Sequence, residues 1–153
     1  MGGRASRAPS SGSTGGASLE RLILDTTILI AAERATAAID EVVGDEDDVV
    51  IAAITAAELL VGVELADRRR KASRRAFVDA VLTGIPIEPY DLEVAVAHAG
   101  LLAHTREAGR PRGAHDLLIA ATGRARARTV VTADAAGFEG LPEVQVRLLP
   151  TGG

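Results

Sequence analysis

Residues 22–30 have the sequence LILDTTILI, in which three apolar residues are followed by Asp25, two threonines and a second apolar run. A short apolar run that ends at a capping residue is typical of a buried β-strand leading directly into a helix. We therefore predict a strand over residues 21–25 and a helix from about Thr26 to Arg34.

The same alternation of strand and helix continues along the chain. Such alternation predicts an α/β fold with a parallel sheet and right-handed crossovers. Continuous apolar runs suit central strands, whereas the alternating pattern near the carboxyl terminus suits an edge strand. The further predicted strands cover residues 49–52, 85–87, 129–132 and 144–149, and the further predicted helices cover 35–43, 56–66, 67–83, 92–108 and 116–127. In the helix over 92–108, we expect the apolar stripe to consist of Leu92, Val96, Ala99 and Ala103.

Four acidic residues follow predicted strand ends or begin predicted helices: Asp25, Glu58, Asp116 and Asp134. The carboxyl ends of parallel strands share one edge of the sheet, so these side chains are expected to converge there. Two like charges about 4 Å apart repel by roughly 4 kcal/mol at an effective dielectric near 20. A divalent cation would remove that repulsion, and hard carboxylate oxygens suit Mg²⁺ or Mn²⁺. The pattern therefore predicts a metal site.

Helix capping is the main alternative for each carboxylate taken alone. An Asp cap contributes about 1 kcal/mol without any metal, and Thr55 to Glu58 has the spacing of a capping box. Independent caps do not explain why all four fall on one edge of the sheet, so together they favour the metal site. His115, beside Asp116, is expected to be a loop histidine without a catalytic role.

The formal net charge is −4, but basic residues are clustered. One group is expected to contact RNA or a partner protein, although a solvated helix explains it equally well; its members are Arg68, Arg69, Arg70, Lys71, Arg74 and Arg75. A second group consists of Arg106, Arg110, Arg112, Arg124, Arg126 and Arg128, of which Arg112 is the candidate contact. Positive flanks around an acidic metal site suit a phosphate-backbone substrate. Aromatic residues are scarce, so base stacking should contribute little.

The segments LILDTTILI, TAAELLVG, AHDLLIAATG and VVTADAAGF, in this order, resemble those of PIN-domain ribonucleases, most closely the VapC-type toxins of toxin–antitoxin pairs. The resemblance implies a three-layer fold with a five-stranded sheet in the order 3-2-1-4-5. It also implies a cytoplasmic, Mg²⁺- or Mn²⁺-dependent endoribonuclease that forms a homodimer and is inhibited by a VapB-type antitoxin. Asp25, Glu58, Asp116 and Asp134 match the acidic motif positions, and Thr27 and Thr132 match positions that support the site.

We expect one domain over residues 19–150, between a flexible leader at 1–18 and a tail at 151–153. The leader lacks the apolar segment of a secretion signal, and no run approaches the roughly 20 apolar residues of a membrane span. A haloacid-type phosphatase would need an acidic residue at position 27, where this chain has Thr27. A phospho-receiver domain would need a lysine at a strand end, but Lys71 is the only lysine. A catalytically inactive PIN-like scaffold that binds RNA or protein is the remaining alternative.

Overall fold

The computed structural model describes residues 20–35 and 48–149. Its centre is a parallel five-stranded sheet in the order β3-β2-β1-β4-β5. The strands are β1 (Arg21–Leu24), β2 (Asp48–Ala52), β3 (Ile87–Glu88), β4 (Thr129–Thr132) and β5 (Val146–Leu148). This arrangement confirms the predicted fold class and the strand order 3-2-1-4-5.

Five α-helices in the described residues connect and cover the strands. They are α1 (Thr26–Arg34), α2 (Ala53–Leu65), α3 (Arg68–Gly84), α4 (Leu92–Ala108) and α5 (Ala114–Ala125), and a 3-10 helix at Ala135–Gly137 follows β4. The predicted leader, the tail and nearly all of the predicted helix at 35–43 lie outside the described residues. Within residues 20–35 and 48–149, every helix is too short or too polar to cross a membrane.

The sheet separates two apolar clusters, because successive strand side chains point to opposite faces. On β1, Ile23 packs into the cluster formed with α4 and α5, whereas Leu22 and Leu24 pack against α1, α2 and α3. All three are fully buried. A strand covered on both faces must be apolar at every position, which is why the LIL run predicts a central strand. The result is a three-layer molecule.

The predicted apolar stripe of α4 is wrong. Leu92 and Val96 are 78% and 67% exposed, and Ala99 and Ala103 are exposed as well. The buried face instead carries Val94, Ala97, Leu101 and Thr105. Because α4 has apolar residues around most of its circumference, helical spacing alone did not determine which face packs on the sheet.

Candidate acidic active site

Four carboxylates come together beyond the carboxyl ends of the central strands. Asp25 directly follows β1, Glu58 lies in the second turn of α2, Asp116 is the third residue of α5, and Asp134 lies two residues beyond β4. Partial burial raises the pKa of Asp116, and the charges of Asp25, Glu58 and Asp134 raise it further; the charge of His115 acts in the opposite direction. The four side chains are therefore close enough to share one electrostatic environment.

Asp25 is the buried anchor of this cluster, with only 4% of its surface exposed. Its Oδ1 accepts a hydrogen bond from the backbone N–H of Thr26 at 2.8 Å. Its Oδ2 accepts hydrogen bonds from the hydroxyls of Thr27 at 2.9 Å and Thr132 at 2.7 Å. Three donors compensate the cost of burying a charge. The two threonines that the sequence suggested as supports thus hold Asp25 directly.

Glu58 is held at both oxygens. Its Oε1 accepts a hydrogen bond from the Thr26 hydroxyl at 2.6 Å, and its Oε2 lies 2.5 Å from Nδ1 of His115. The capping-box interpretation is wrong, because α2 begins at Ala53 and is capped by Ala52 without a side-chain bond. The loop position expected for His115 is also wrong, since this residue lies in α5 and contacts Glu58. Its expected lack of a catalytic role stays a prediction. Thr26 and His115 were not predicted to hold Glu58. The only hint in the sequence is that Thr26 adjoins Asp25 and His115 adjoins Asp116.

Asp134 and Asp116 lie nearer to solvent than Asp25. Asp134 is exposed and caps the 3-10 helix by accepting a hydrogen bond from the backbone N–H of Ala136 at 3.2 Å. Asp116 is half-buried and does not cap α5, whose N-cap is Gly113 without a side-chain bond. The Asp116 carboxylate instead lies against Gly137, where an added Cβ would come within 2.2 Å of Oδ2. Capping therefore accounts for Asp134 but not for Asp116.

The donor set fits a hard divalent cation in its chemistry. All four side chains offer carboxylate oxygens. Burial raises the pKa of Asp116, and the neighbouring carboxylate charges, which a cation would neutralise, raise it further. Across the described parts of the chain, however, no three Asp, Glu or His side chains stand grouped to hold one metal ion. Asp25, Glu58 and Asp134 bond instead to threonines, His115 and backbone N–H groups.

The first basic group forms a largely exposed surface on α3. Arg68, Lys71 and Arg75, together with Ala66 and Ala72, line a cavity of about 670 Å³ beside the turn between α2 and α3. Arg69 and Arg70 are exposed as well. Arg74 differs from the others, because its Nε donates to Glu33 at 2.6 Å and its side chain is 30% exposed. Arg74 thus ties α3 to α1.

The second basic group is not a free positive surface. Arg126 pairs with Glu88, Asp91 and Glu93 at 2.7–2.8 Å. Arg128 is buried, where its Nη1 donates to the carbonyl of Leu22 at 3.3 Å and to the Asp48 carboxylate at 3.1 Å. Arg124 lies 3.5 Å from Glu143. The expected positive flank is therefore wrong for these three arginines, which join sheet, helices and loops.

Arg112, the candidate contact from the second group, also bonds within the chain. Its guanidinium donates to the backbone carbonyls of Gly137 at 3.1 Å and Glu139 at 2.5 Å. Both acceptors belong to the segment that follows Asp134. The arginine thus lies beside the acidic cluster and connects two of its segments.

Comparison with known proteins agrees with this architecture. Residues 22–143 match the PIN domain family. Ribonuclease VapC of Rickettsia bellii (strain RML369-C) is 29% identical over 130 residues, which are 84% of this chain and 96% of the relative. VapBC-5 of Mycobacterium tuberculosis, a member of the VapBC family of toxin–antitoxin systems, is 32% identical with a TM-score of 0.68, covering 83% of this chain and 97% of that one. The structure of VapBC2 from Rickettsia felis bound to a promoter DNA fragment has a TM-score of 0.76 at 23% identity. The match covers 84% of this chain and 98% of that one, and it shows that the two share a fold.

Proposed function

The chain belongs to the PIN-domain family, and from this premise we propose that it is a metal-dependent endoribonuclease toxin neutralised by a VapB-type antitoxin. The observation that carries the proposal is the convergence of the carboxylates: Thr26 bonds to both Asp25 and Glu58, and Thr132 joins Asp25 to Asp134. The charges of these three carboxylates also help to raise the pKa of Asp116, whose partial burial raises it most. Those are the four positions that match the acidic motifs. The similarity to ribonuclease VapC and to VapBC-5 supports RNA as substrate and an antitoxin as partner.

Asp25, Asp116 and Asp134, together with Glu58, would hold Mg²⁺ or Mn²⁺. When bound, such an ion lowers the pKa of a coordinated water for in-line attack and neutralises charge on the phosphate. Thr27 and Thr132 keep Asp25 in place by donating to its Oδ2, and they accept hydrogen bonds from the backbone N–H groups of Ala133 and Asp134. No side chain of the cluster needs to form a covalent intermediate with RNA.

The four carboxylates differ in burial, and we infer different roles for them from this difference. Asp25 is fixed in the interior by three donors, and Glu58 is fixed by Thr26 and His115. Asp134 is exposed, whereas Glu58 and Asp116 are both half-buried. We infer that RNA approaches the cluster from the side of Asp134, with the buried Asp25 at its floor.

The exposed cations of α3 are the proposed contacts for RNA phosphates or for a partner. Contacts of this kind fix the backbone of a nucleic acid without reading its bases. The exposed members are Arg68, Arg69, Arg70, Lys71 and Arg75. Because Arg74 is already paired with Glu33, we propose that it stabilises the packing of α3 on α1 rather than contacting RNA.

We further propose that the protein acts in the cytoplasm as a homodimer. A partner's arginine can inhibit the site by pairing with its carboxylates, because charge-assisted guanidinium–carboxylate bonds are strong and would compete with a metal ion. Light scattering that shows a monomer at micromolar concentration would contradict the dimer. Failure of a neighbouring gene product to copurify would contradict the antitoxin.

Mapping of RNA ends in cells distinguishes the enzyme from an inactive scaffold. Wild-type chain, Asp116→Asn and the control Asp79→Asn, which changes an exposed residue of α3, are expressed separately. New RNA 5′ ends should appear with wild type and Asp79→Asn and be absent with Asp116→Asn. Binding of RNA without new ends in any of the three would establish the scaffold instead.

A further inference from the structure

We propose that Arg112 is a positioning residue that fixes Asp116 and Asp134 relative to each other; this inference rests on the proposed function. Arg112 precedes Asp116 by four residues, just before α5 begins. Its two terminal nitrogens donate to the carbonyls of Gly137 and Glu139, 25 and 27 residues further along the chain. A planar guanidinium can hold two acceptors at once, and lysine cannot reproduce that fork.

The segment held by Arg112 carries one carboxylate and supports another. Asp134 caps the 3-10 helix that ends at Gly137. Gly137 also forms the wall against which the Asp116 carboxylate rests, since a Cβ there would lie 2.2 Å from Oδ2. A shift of the Gly137 carbonyl therefore changes both the position of Asp134 and the space available to Asp116.

The fold has a separate anchor for this segment. Phe138 is 1% exposed and Leu141 is 5% exposed, and both pack into the cluster beneath α4 and α5. Arg112 itself lines a cavity of about 240 Å³ with Arg110, Glu139 and Gly140. Water can enter there and solvate the two carbonyls if the guanidinium is removed. Loss of Arg112 should therefore loosen the site while the core stays packed.

Direct contact between Arg112 and RNA is the competing explanation. A guanidinium has five N–H donors, so two bonds to carbonyls leave donors that could reach a phosphate. Arg110 provides the matched control because it is exposed, lines the same cavity and carries the same charge two residues away. Removal of a phosphate contact weakens substrate binding, whereas misplacement of carboxylates slows the chemical step.

Kinetics of the full chain separate the two explanations. Wild type, Arg112→Ala, Arg112→Lys and Arg110→Ala are assayed on a short single-stranded RNA with Mn²⁺. We expect Arg112→Ala to lower kcat by between about 10-fold and 100-fold with little change in KM, as small displacements of catalytic groups do. Arg112→Lys should recover little of the lost kcat, and millimolar guanidinium should restore part of kcat to Arg112→Ala. Arg110→Ala should leave kcat unchanged. A raised KM with unchanged kcat in Arg112→Ala would overturn the proposal.

Amide hydrogen exchange of the metal-free proteins gives a readout that does not depend on activity. Exchange over residues 134–139 should be faster in Arg112→Ala than in wild type and Arg110→Ala. Unchanged exchange would overturn the proposal. If wild type does not cut RNA, the proposed function fails, and the exchange comparison still decides whether Arg112 holds the segment.

Discussion

Replacement of Thr132 by valine tests the support beneath the acidic cluster. Thr132 is completely buried at the end of β4. Its hydroxyl donates to Oδ2 of Asp25 at 2.7 Å and accepts a hydrogen bond from the backbone N–H of Asp134 at 3.0 Å. Valine has nearly the same shape and suits a strand, so Thr132→Val removes these bonds with little change in packing.

The magnitude follows from the charge and burial of Asp25. A hydrogen bond to a charged group contributes about 1.5–3 kcal/mol, and loss of the donor leaves the buried carboxylate with two donors instead of three. Asp134 lies at the surface, so water can replace the bond that its N–H loses. We expect Thr132→Val to lower the free energy of unfolding by about 2 kcal/mol at neutral pH without metal.

Urea unfolding of Thr132→Val and Thr129→Val measures this difference. Thr129 begins the same strand, is half-buried and donates to Gln145 at 3.3 Å. A neutral bond near the surface should contribute less, so the control is expected to lose no more than about 0.5 kcal/mol. Equal losses in the two variants would refute the reasoning that Thr132 stabilises a buried charge.

Three further predictions concern the charges around the site. Asp116→Asn should stabilise the metal-free protein at neutral pH by less than about 1 kcal/mol, because solvent screens charges at a half-exposed position. The folded-state pKa of Asp116 is raised above 3.8. Ionisation of Asp116 therefore destabilises the folded wild type as pH rises through the carboxylate range. The stability advantage of the variant should vanish well below pH 3.8. Urea titrations across pH check the sign, and a variant less stable than wild type at neutral pH would contradict it. Mn²⁺ should raise the melting temperature of wild type more than that of Asp116→Asn. Equal increases in melting temperature would mean that Asp116 does not contribute to the metal site. RNA affinity should fall with salt at a slope of about −0.7 per phosphate contact; replacing Arg69 and Lys71 by alanine should make that slope less steep, and an unchanged slope would exclude α3 from the interface.

The central strands could be told from the edge strands because burial on both faces leaves a direct mark on sequence, whereas the full strand order was implied by the family resemblance. Leu22, Ile23 and Leu24 must all be apolar when helices cover both sides of β1. No comparable constraint identified the buried face of α4, because Leu92 and Val96 are as apolar as Val94 and Leu101. Spacing along a helix predicts a face only when the opposite face is polar.

The contacts that hold the site were harder to predict because they join distant parts of the chain. Glu58 and His115 are 57 residues apart, and Thr26 and Glu58 are 32 apart. Arg126 was misjudged for the same reason, since its partners are contributed by β3, α4 and the connection between them. Composition gives the number of charges, but only the fold determines which of them are paired.

Cleavage of a defined RNA by purified protein tests the central claim most directly. Wild type, Asp116→Asn and Asp79→Asn are purified identically and incubated with a single-stranded RNA, with Mg²⁺ or Mn²⁺ and with a chelator. We predict metal-dependent cleavage by wild type and Asp79→Asn, and a loss of about 1,000-fold or more in Asp116→Asn, since the variant lacks one of the carboxylates that would hold the metal ion. Cleavage that persists in Asp116→Asn, or that continues in the chelator, would contradict the assignment of the acidic cluster as a metal-dependent nuclease site.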